Sequence, residues 1–540
     1  MASPPDPPPD DDDDAAPQAD RSGTGNLPGS ASRQDRSHHQ REIQRLLLRA
    51  APRLRRIGFA RRELLRRLRG RPHRVHFFHQ VDDPYSHLAL SAIPRLLERY
   101  AVRFVFKLVP PTDRLHAPEP ALLTDYARRD CAWIAPHYGL EFPREAAVPA
   151  AEDVRRVERV LAGRMGRPDW VETAIELGRA LWWNDPAARA RLVRLEQARG
   201  IGSPSVPDET AAWARETAEA EARRMLEEGD RARRLRGHYS GGMFWYAGEW
   251  YWGVDRLDHL ERRLIRLGAT RPAASDGDRP TPTPTPTPTT KATAKTTTQA
   301  KPSGAPHALC FPRPAIDPGP NRNDRGLTLE IFPSLRSPYT AFIFERSLAL
   351  AREAGVPVVL RPVMPMVMRG VPAPAAKGLY IFLDAKREAD ALGIPFGNMY
   401  DPIGAAVVRG FSLWPFANER GRGAEYIARF LRAAFVEGRR TGSDAGLRRV
   451  VEDAGLSWDE ARPFLDTDGF RAELEANRKL LYEELGLWGV PSYRLRGPAG
   501  EPELCVWGQD RLWLVAAEIR RRLASPSDGS APADRGTRGA

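Results

Sequence analysis

The residues able to do chemistry are few. Three cysteines, Cys131, Cys310 and Cys505, stand far apart with no C-x-x-C and no metal-ligand spacing. Dithiol exchange is therefore not expected, no metal site is expected, and the low, odd count suits a reducing cytoplasm. Ser337-Pro338-Tyr339-Thr340 stands where an apolar, β-rich run gives way to a helical one. Serine as cap and proline at the first helical position make a good helix start. The same turn sets a hydroxyl beside unpaired N–H groups and the positive end of a helix, where negative charge is stabilised. Gly489-Val490-Pro491-Ser492 precedes a strand-like run. A cis bond before Pro491 leaves the Val490 N–H and C=O able to pair with a peptide-like ligand, and an ordinary trans turn is the alternative. His76 and His79 lie three apart on a strand, hence on opposite faces, so with His87 they make a poor metal set.

These residues sit in a chain that repeats itself. Val75 to Ser86, containing Asp83-Pro84-Tyr85-Ser86, matches Leu329 to Thr340, containing Ser337-Pro338-Tyr339-Thr340. Trp252-Gly253-Val254-Asp255-Arg256-Leu257 matches Trp507-Gly508-Gln509-Asp510-Arg511-Leu512. The two matches have offsets of 254 (Asp83 to Ser337) and 255 (Trp252 to Trp507), a register that chance would not keep. Each block reads as a strand, a helix (86–100 or 340–354), a second strand (102–109 or 356–363), a long helical stretch (120–235 or 374–486), a hairpin (243–251 or 492–506) and a closing helix (255–267 or 510–523). A strand-helix-strand start implies a parallel pair with a crossover. The hairpin and the covering helix then complete a thioredoxin plan. The fold class is α/β: two tandem thioredoxin-like domains, each with a helical insertion.

The domains expected are 74–268 and 327–524. Residues 1–40 are Pro-, Asp-, Ser- and Gly-rich and read as disordered, as does the tail 525–540. The Pro/Thr repeat within 269–326 reads as an extended linker. Segment 41–73 is a basic amphipathic helix, bent at Pro52, with Ile43, Leu47, Leu54, Ile57, Leu64 and Leu68 on helical spacing. It either packs on its own domain or meets an anionic membrane surface or an acidic partner. The formal net charge of +12 is carried mostly by arginine, and no zinc-finger, RNP or basic-zipper pattern accompanies it, so no nucleic-acid partner is expected. No apolar run of membrane-spanning length and no basic-then-apolar leader stand in the sequence, and the expected location is the cytoplasm.

The second block resembles the 2-hydroxychromene-2-carboxylate isomerase and kappa-class glutathione transferase branch of the DsbA-like thioredoxin-fold family. The resemblance rests on Ser337-Pro338-Tyr339-Thr340, Pro374-Ala375-Ala376-Lys377 with Tyr380, Gly489-Val490-Pro491-Ser492 and Trp507 to Leu512. It implies glutathione as cofactor, with its sulfur held by Ser337 as the catalytic residue. It implies Lys377 near a glutathione carboxylate, Val490 and Pro491 along the peptide, and Gln509, Asp510 and Arg511 at the polar end. Trp488 would line the pocket or the core. A thiol near pKa ~8.5 gains thiolate character at such a helix start, and a hydroxyl donor strengthens it. The thiolate adds to a double bond and leaves again. The implied activity is glutathione-dependent isomerisation or transfer on a small electrophilic or aromatic substrate. In place of the family's Gly-Asn, this chain has Met368-Arg369-Gly370-Val371-Pro372. The alternatives are a non-catalytic thioredoxin-like binding protein and a thiol-oxidoreductase relative without its C-x-x-C. The first block, with Asp83 at the serine position and Gly241-Gly242 in place of Val490-Pro491, reads as a degenerate copy with a structural, dimer-like or regulatory role. Its Phe244, Trp245, Tyr246, Trp250, Tyr251 and Trp252 read as core and interface. A second copy of the chain is a further candidate partner.

Overall fold

The structure is a computed structural model and describes residues 33–203, 206–271, 308–371 and 373–524. Two four-stranded sheets carry the protein. In the first, β1 (His73–His79) pairs in parallel with β2 (Val102–Leu108) and antiparallel with β3 (Met243–Tyr246), which pairs with β4 (Glu249–Trp252). In the second, β5 (Thr328–Phe332) pairs in parallel with β6 (Val358–Leu360) and antiparallel with β7 (Ser492–Arg496), which pairs with β8 (Leu504–Trp507). The two strand orders are the same, β2-β1-β3-β4 and β6-β5-β7-β8.

Helices make each parallel crossover. In the second half it is one helix, Pro338–Ala354, closed by Gly355 in the left-handed conformation at φ +74°. In the first half the same path is split into Pro84–Ser91 and Ile93–Arg99, because Pro94 cannot donate a helical hydrogen bond. The hairpin between β3 and β4 turns on Ala247 and Gly248, both at positive φ (+46° and +90°), as a two-residue turn that continues the strand twist requires. Helical insertions fill 120–235 and 375–484. The Asp208–Leu235 helix approaches β2 so closely that a Cβ on Gly229 would lie 1.8 Å from the Leu108 carbonyl oxygen.

Three boundaries differ from the sequence reading. The basic helix begins at Arg33 and runs unbroken past residue 52 to Leu68, so residues 33–40 are helical. That stretch has no proline or glycine, and its polar residues let the helix continue without an apolar period. Residues 1–32, 272–307 and 525–540 lie outside the described residues, and with them the readings made there. The first half continues to Arg271, where Tyr100 bridges Thr270 and the Arg271 N–H donates to the Arg99 carbonyl. Residues 308–326 are not free linker. Phe311 is buried beneath Arg95, and the N–H groups of Cys310 and Phe311 donate to Glu261 at 2.6 and 2.8 Å. An apolar ring and two backbone donors meeting a buried carboxylate hold this strand of chain across the first half.

Candidate functional site

Ser337 caps the Pro338–Ala354 helix. Its Oγ accepts from the Thr340 N–H at 3.1 Å and donates to the Val490 carbonyl at 3.2 Å. The Val490-Pro491 bond is cis, and the Pro491 carbonyl accepts from the Gly508 N–H at 2.9 Å. Helix start, proline loop and the end of β8 thus meet at one point. The Val490 N–H has no hydrogen-bond partner among the described residues. Two residues back, Trp488 is buried with its indole N–H unpaired, its ring 4.9 Å from that of Trp507. The Lys377 ammonium lies over the Trp488 ring at 5.5 Å and is 8% exposed. Its hydrogen-bond partner is the His116 carbonyl of the first half, at 2.8 Å, and burial lowers its pKa to about 8. Ser337 thus meets the Val490-Pro491 loop, and Lys377 meets Trp488, two residues before Val490.

Gln509, Asp510 and Arg511 lie elsewhere, in a seam between the halves. Arg511 forms a two-pronged pair with Asp130 (Nε to Oδ1 2.7 Å, Nη2 to Oδ2 2.6 Å) and reaches Asp255 at 2.9 Å. Across the seam Arg256 grips Asp384 (Nη2 to Oδ2 2.8 Å) and reaches Asp510 at 2.9 Å. Gln509 donates to Glu388, which also takes His259 and Arg313. Each aspartate accepts from a tyrosine of its own half, Tyr85 to Asp130 at 2.6 Å and Tyr339 to Asp384 at 2.9 Å. Burial drives the Asp384 carboxyl upward, but the Arg256 and Arg387 guanidiniums outweigh it and hold the group below the usual carboxylate range. Burial likewise works against the Arg511 charge, and Asp130, Asp255 and Asp510 hold it well above the ordinary value.

The sequence reading missed Asp130, Arg256 and Asp384 as partners. A signal was present: Tyr126 and Asp130 recur as Tyr380 and Asp384 at the same offset of 254. The tyrosines of these pairs cross the seam too. The Tyr126 OH accepts from the Trp507 N–H at 2.9 Å and donates to its carbonyl at 3.0 Å, packing with Phe332 and Val363. Tyr380 packs with Phe78 and Val109 of the first half, facing Trp252. Each half thus packs a tyrosine against the sheet of the other.

The matching helix start of the first half is built differently. Asp83 caps its helix through the Tyr85 N–H at 3.0 Å, and burial, with Asp82 nearby, raises its pKa to about 7. Gly242 stands at the place of Pro491. Its N–H donates to the Phe78 carbonyl, its φ is +64°, and a Cβ there would lie 3.1 Å from the Ser86 nitrogen. His79 bonds Ser86 at 2.9 Å, His87 packs on Trp183, and His76 packs on Trp245. All three cysteines are free; burial raises the Cys131 thiol well above its usual range and pushes Cys310 and Cys505 up to about 11, so they stay protonated. A cavity of about 340 Å³ lies between the basic helix and the β3–β4 hairpin, against Phe59, Tyr246 and Arg263, away from the Ser337 cleft.

The strand order of the second sheet, with a proline loop facing a helix start, defines a thioredoxin-type domain. Residues 328–520 match the DSBA-like thioredoxin domain, so the second half is a DsbA-like thioredoxin domain. Among solved structures, 2-hydroxychromene-2-carboxylate isomerase aligns at 19% identity over 36% of this chain and 95% of its own, with a TM-score of 0.30. A probable DsbA oxidoreductase of Streptomyces coelicolor aligns at 22% identity over 36% and 89%, TM-score 0.29. The cytosolic disulfide reductase DsbM of Pseudomonas aeruginosa aligns at 24% over 36% and 99% in its structure with GSH, TM-score 0.28. No curated protein matches the chain.

Proposed function

We propose that the second domain binds glutathione in the Ser337–Pro491 cleft and serves as an isomerase or transferase for a small electrophilic or aromatic substrate. The observation that carries this reading is Lys377: a buried ammonium with no carboxylate in reach among the described residues, beside an unpaired Trp488 indole N–H. A buried charge without a counter-charge and a buried donor without an acceptor are both costly, and a peptide-like anion would satisfy both. The Val490 N–H offers a third donor next to them. Bound glutathione supplies a thiolate nucleophile. Ser337 would turn its hydroxyl from the Val490 carbonyl to the sulfur, while the positive end of a 17-residue helix favours the negative charge. Tyr126 and His116 close the cleft from the first half, which we read as a duplicated copy that has lost its own site. A second reading, a non-catalytic binding protein, draws on Gln509, Asp510 and Arg511, whose side chains are spent on the seam between the halves.

The test is the absorbance of bound glutathione thiolate against pH, with the full chain and its Ser337→Ala variant. Losing the cap costs about 0.5–2 kcal/mol, which a domain of this size withstands. The variant should raise the bound thiol pKa by about one unit, equivalent to about 1.4 kcal/mol. No binding at millimolar glutathione would end the enzyme reading. Equal thiol pKa values in both proteins would leave Ser337 as a helix cap only.

A further inference from the structure

The helix Arg33–Leu68 lies across both halves on one of its sides. Arg41 donates to the Ile403 carbonyl at 3.2 Å and Arg45 to Asn398 at 2.7 Å in the second half. Arg55 donates to the Gly248 carbonyl at 3.2 Å in the first half, where Phe59 lies under Arg263 at 4.2 Å. Leu48 is buried on this side. The leucine stripe is not. Ile43, Leu47, Leu54, Ile57, Leu64 and Leu68 are 45 to 74% exposed. At 3.6 residues per turn they fall within an arc of about 100°, opposite Leu48 and Phe59, and run about 38 Å along the helix. A helix held to its protein by its polar side, with its apolar side turned to solvent, inverts the usual arrangement.

What covers the stripe follows from the charge around it. Residues 41–71 hold twelve arginines, no lysine and two glutamates, and both glutamates are paired, Glu42 with Arg45 and Glu63 with Arg66 and Arg67. Arg49, Arg53, Arg56 and Arg67 are exposed along one flank of the stripe. Arg61 lies within it, where a long side chain can bury its stem and keep its charge in the headgroup layer. A second copy of the helix packed on the stripe would bring arginine against arginine along the whole contact, so self-association is disfavoured. Phosphates alone would leave the leucines in water. An anionic bilayer surface answers both features, taking the leucines into the acyl boundary and the arginines among its phosphates. No helix among the described residues is long and apolar enough to cross a membrane, so the contact is one of lying on the surface.

We propose that the exposed face of this helix docks the protein on an anionic lipid surface. The full chain is to be floated with vesicles of phosphatidylglycerol and phosphatidylcholine in equal parts, and with pure phosphatidylcholine. Binding to the mixed vesicles, weakened by salt, and little binding to the neutral ones is expected. The pair Leu54→Glu and Ile57→Glu should lower partitioning by more than about tenfold, the ratio that corresponds to 1.4 kcal/mol. Leu115→Glu, at an exposed leucine outside the helix, should leave it unchanged. Thermal unfolding of each variant separates loss of binding from loss of fold. Absence of binding to the anionic vesicles overturns the proposal, and so does equal binding by the Leu54/Ile57 variant. A dimer that this variant disperses, found without vesicle binding, would instead make a second copy the occupant.

Discussion

Replacing Arg511 by methionine takes one guanidinium out of the seam and leaves two aspartates facing it. Asp130 is fully buried and keeps only the Tyr85 hydroxyl at 2.6 Å, since the single Tyr126 proton goes to the Trp507 carbonyl at 3.0 Å. Asp255 keeps the Tyr138 hydroxyl at 3.1 Å. Removing one partner of a buried ion pair costs about 3–5 kcal/mol, because the remaining charge stays buried without compensation. The pair joins the halves, so the loss should appear in their association. At 1.4 kcal/mol per tenfold, it corresponds to a weakening of about a hundredfold to a few thousandfold. A protease site inserted within residues 272–305 makes this measurable. After cleavage the wild-type fragments should co-sediment as a one-to-one complex, and the Arg511→Met fragments should separate at micromolar concentration. Asp130→Asn combined with Arg511→Met removes the charge with its partner and should recover most of the loss. High salt should do little, since buried pairs are poorly screened. An Arg511→Met complex within about fivefold of wild type, under 1 kcal/mol, would refute the claim that this pair holds the halves together.

Two further outcomes follow from the clefts. Burial lowers the Lys377 pKa to about 8, so the free protein loses that ammonium above pH 8, and affinity for S-methylglutathione, which has no thiol to titrate, should fall towards about tenfold per pH unit there. Binding of S-methylglutathione at pH 8.5 should take up a proton, read by calorimetry in two buffers of different ionisation enthalpy; Lys377→Met should abolish the uptake, and uptake persisting in that variant would assign it to another group. Asp83→Ser alone should leave the calorimetric stoichiometry at one glutathione per chain, because Gly242 cannot be matched to Pro491 while its φ is positive and its N–H is bonded to Phe78. A second glutathione bound per chain would show that the proline loop is dispensable.

Strands and turns were legible because local rules decide them. The runs at 75–79 and 329–332 carry the residues that suit a pleated surface, and Ala247-Gly248 marks a two-residue turn whatever lies around it. The meeting of Ser337 with Val490-Pro491 was legible through the ordered motifs. The seam was not. Arg511 and Asp130 are 381 residues apart, and an ion pair over that span leaves no periodicity. Motif resemblance carried Gln509, Asp510 and Arg511 toward a ligand, yet in the folded chain their nearest charges come mainly from the opposite half. Phe311 was hidden for a related reason: one apolar residue in a proline-rich context carries no pattern until Arg95 and Glu261 are seen beside it. The stripe on the basic helix was plain in the sequence, but which way it faced depended on Leu48, Phe59 and the arginines that anchor the other side.

The two halves differ at their helix starts and match in the seam. Asp83 and Gly242 stand where Ser337 and Pro491 stand, so the chemistry of the two helix starts is no longer alike. In the seam, by contrast, Tyr85, Asp130, Asp255 and Arg256 have counterparts in Tyr339, Asp384, Asp510 and Arg511, and both sets make the same contacts. A buried guanidinium is tolerated only with its carboxylates present. Substituting a seam residue in one half therefore strands a charge in the other, whereas substituting a cleft residue of the first half strands nothing. The His116 carbonyl on Lys377 and the Tyr126 hydroxyl on Trp507 add a second constraint, since the first half also satisfies these polar groups of the second. The first half, without a serine and a proline loop at these places, still compensates buried charge in the second.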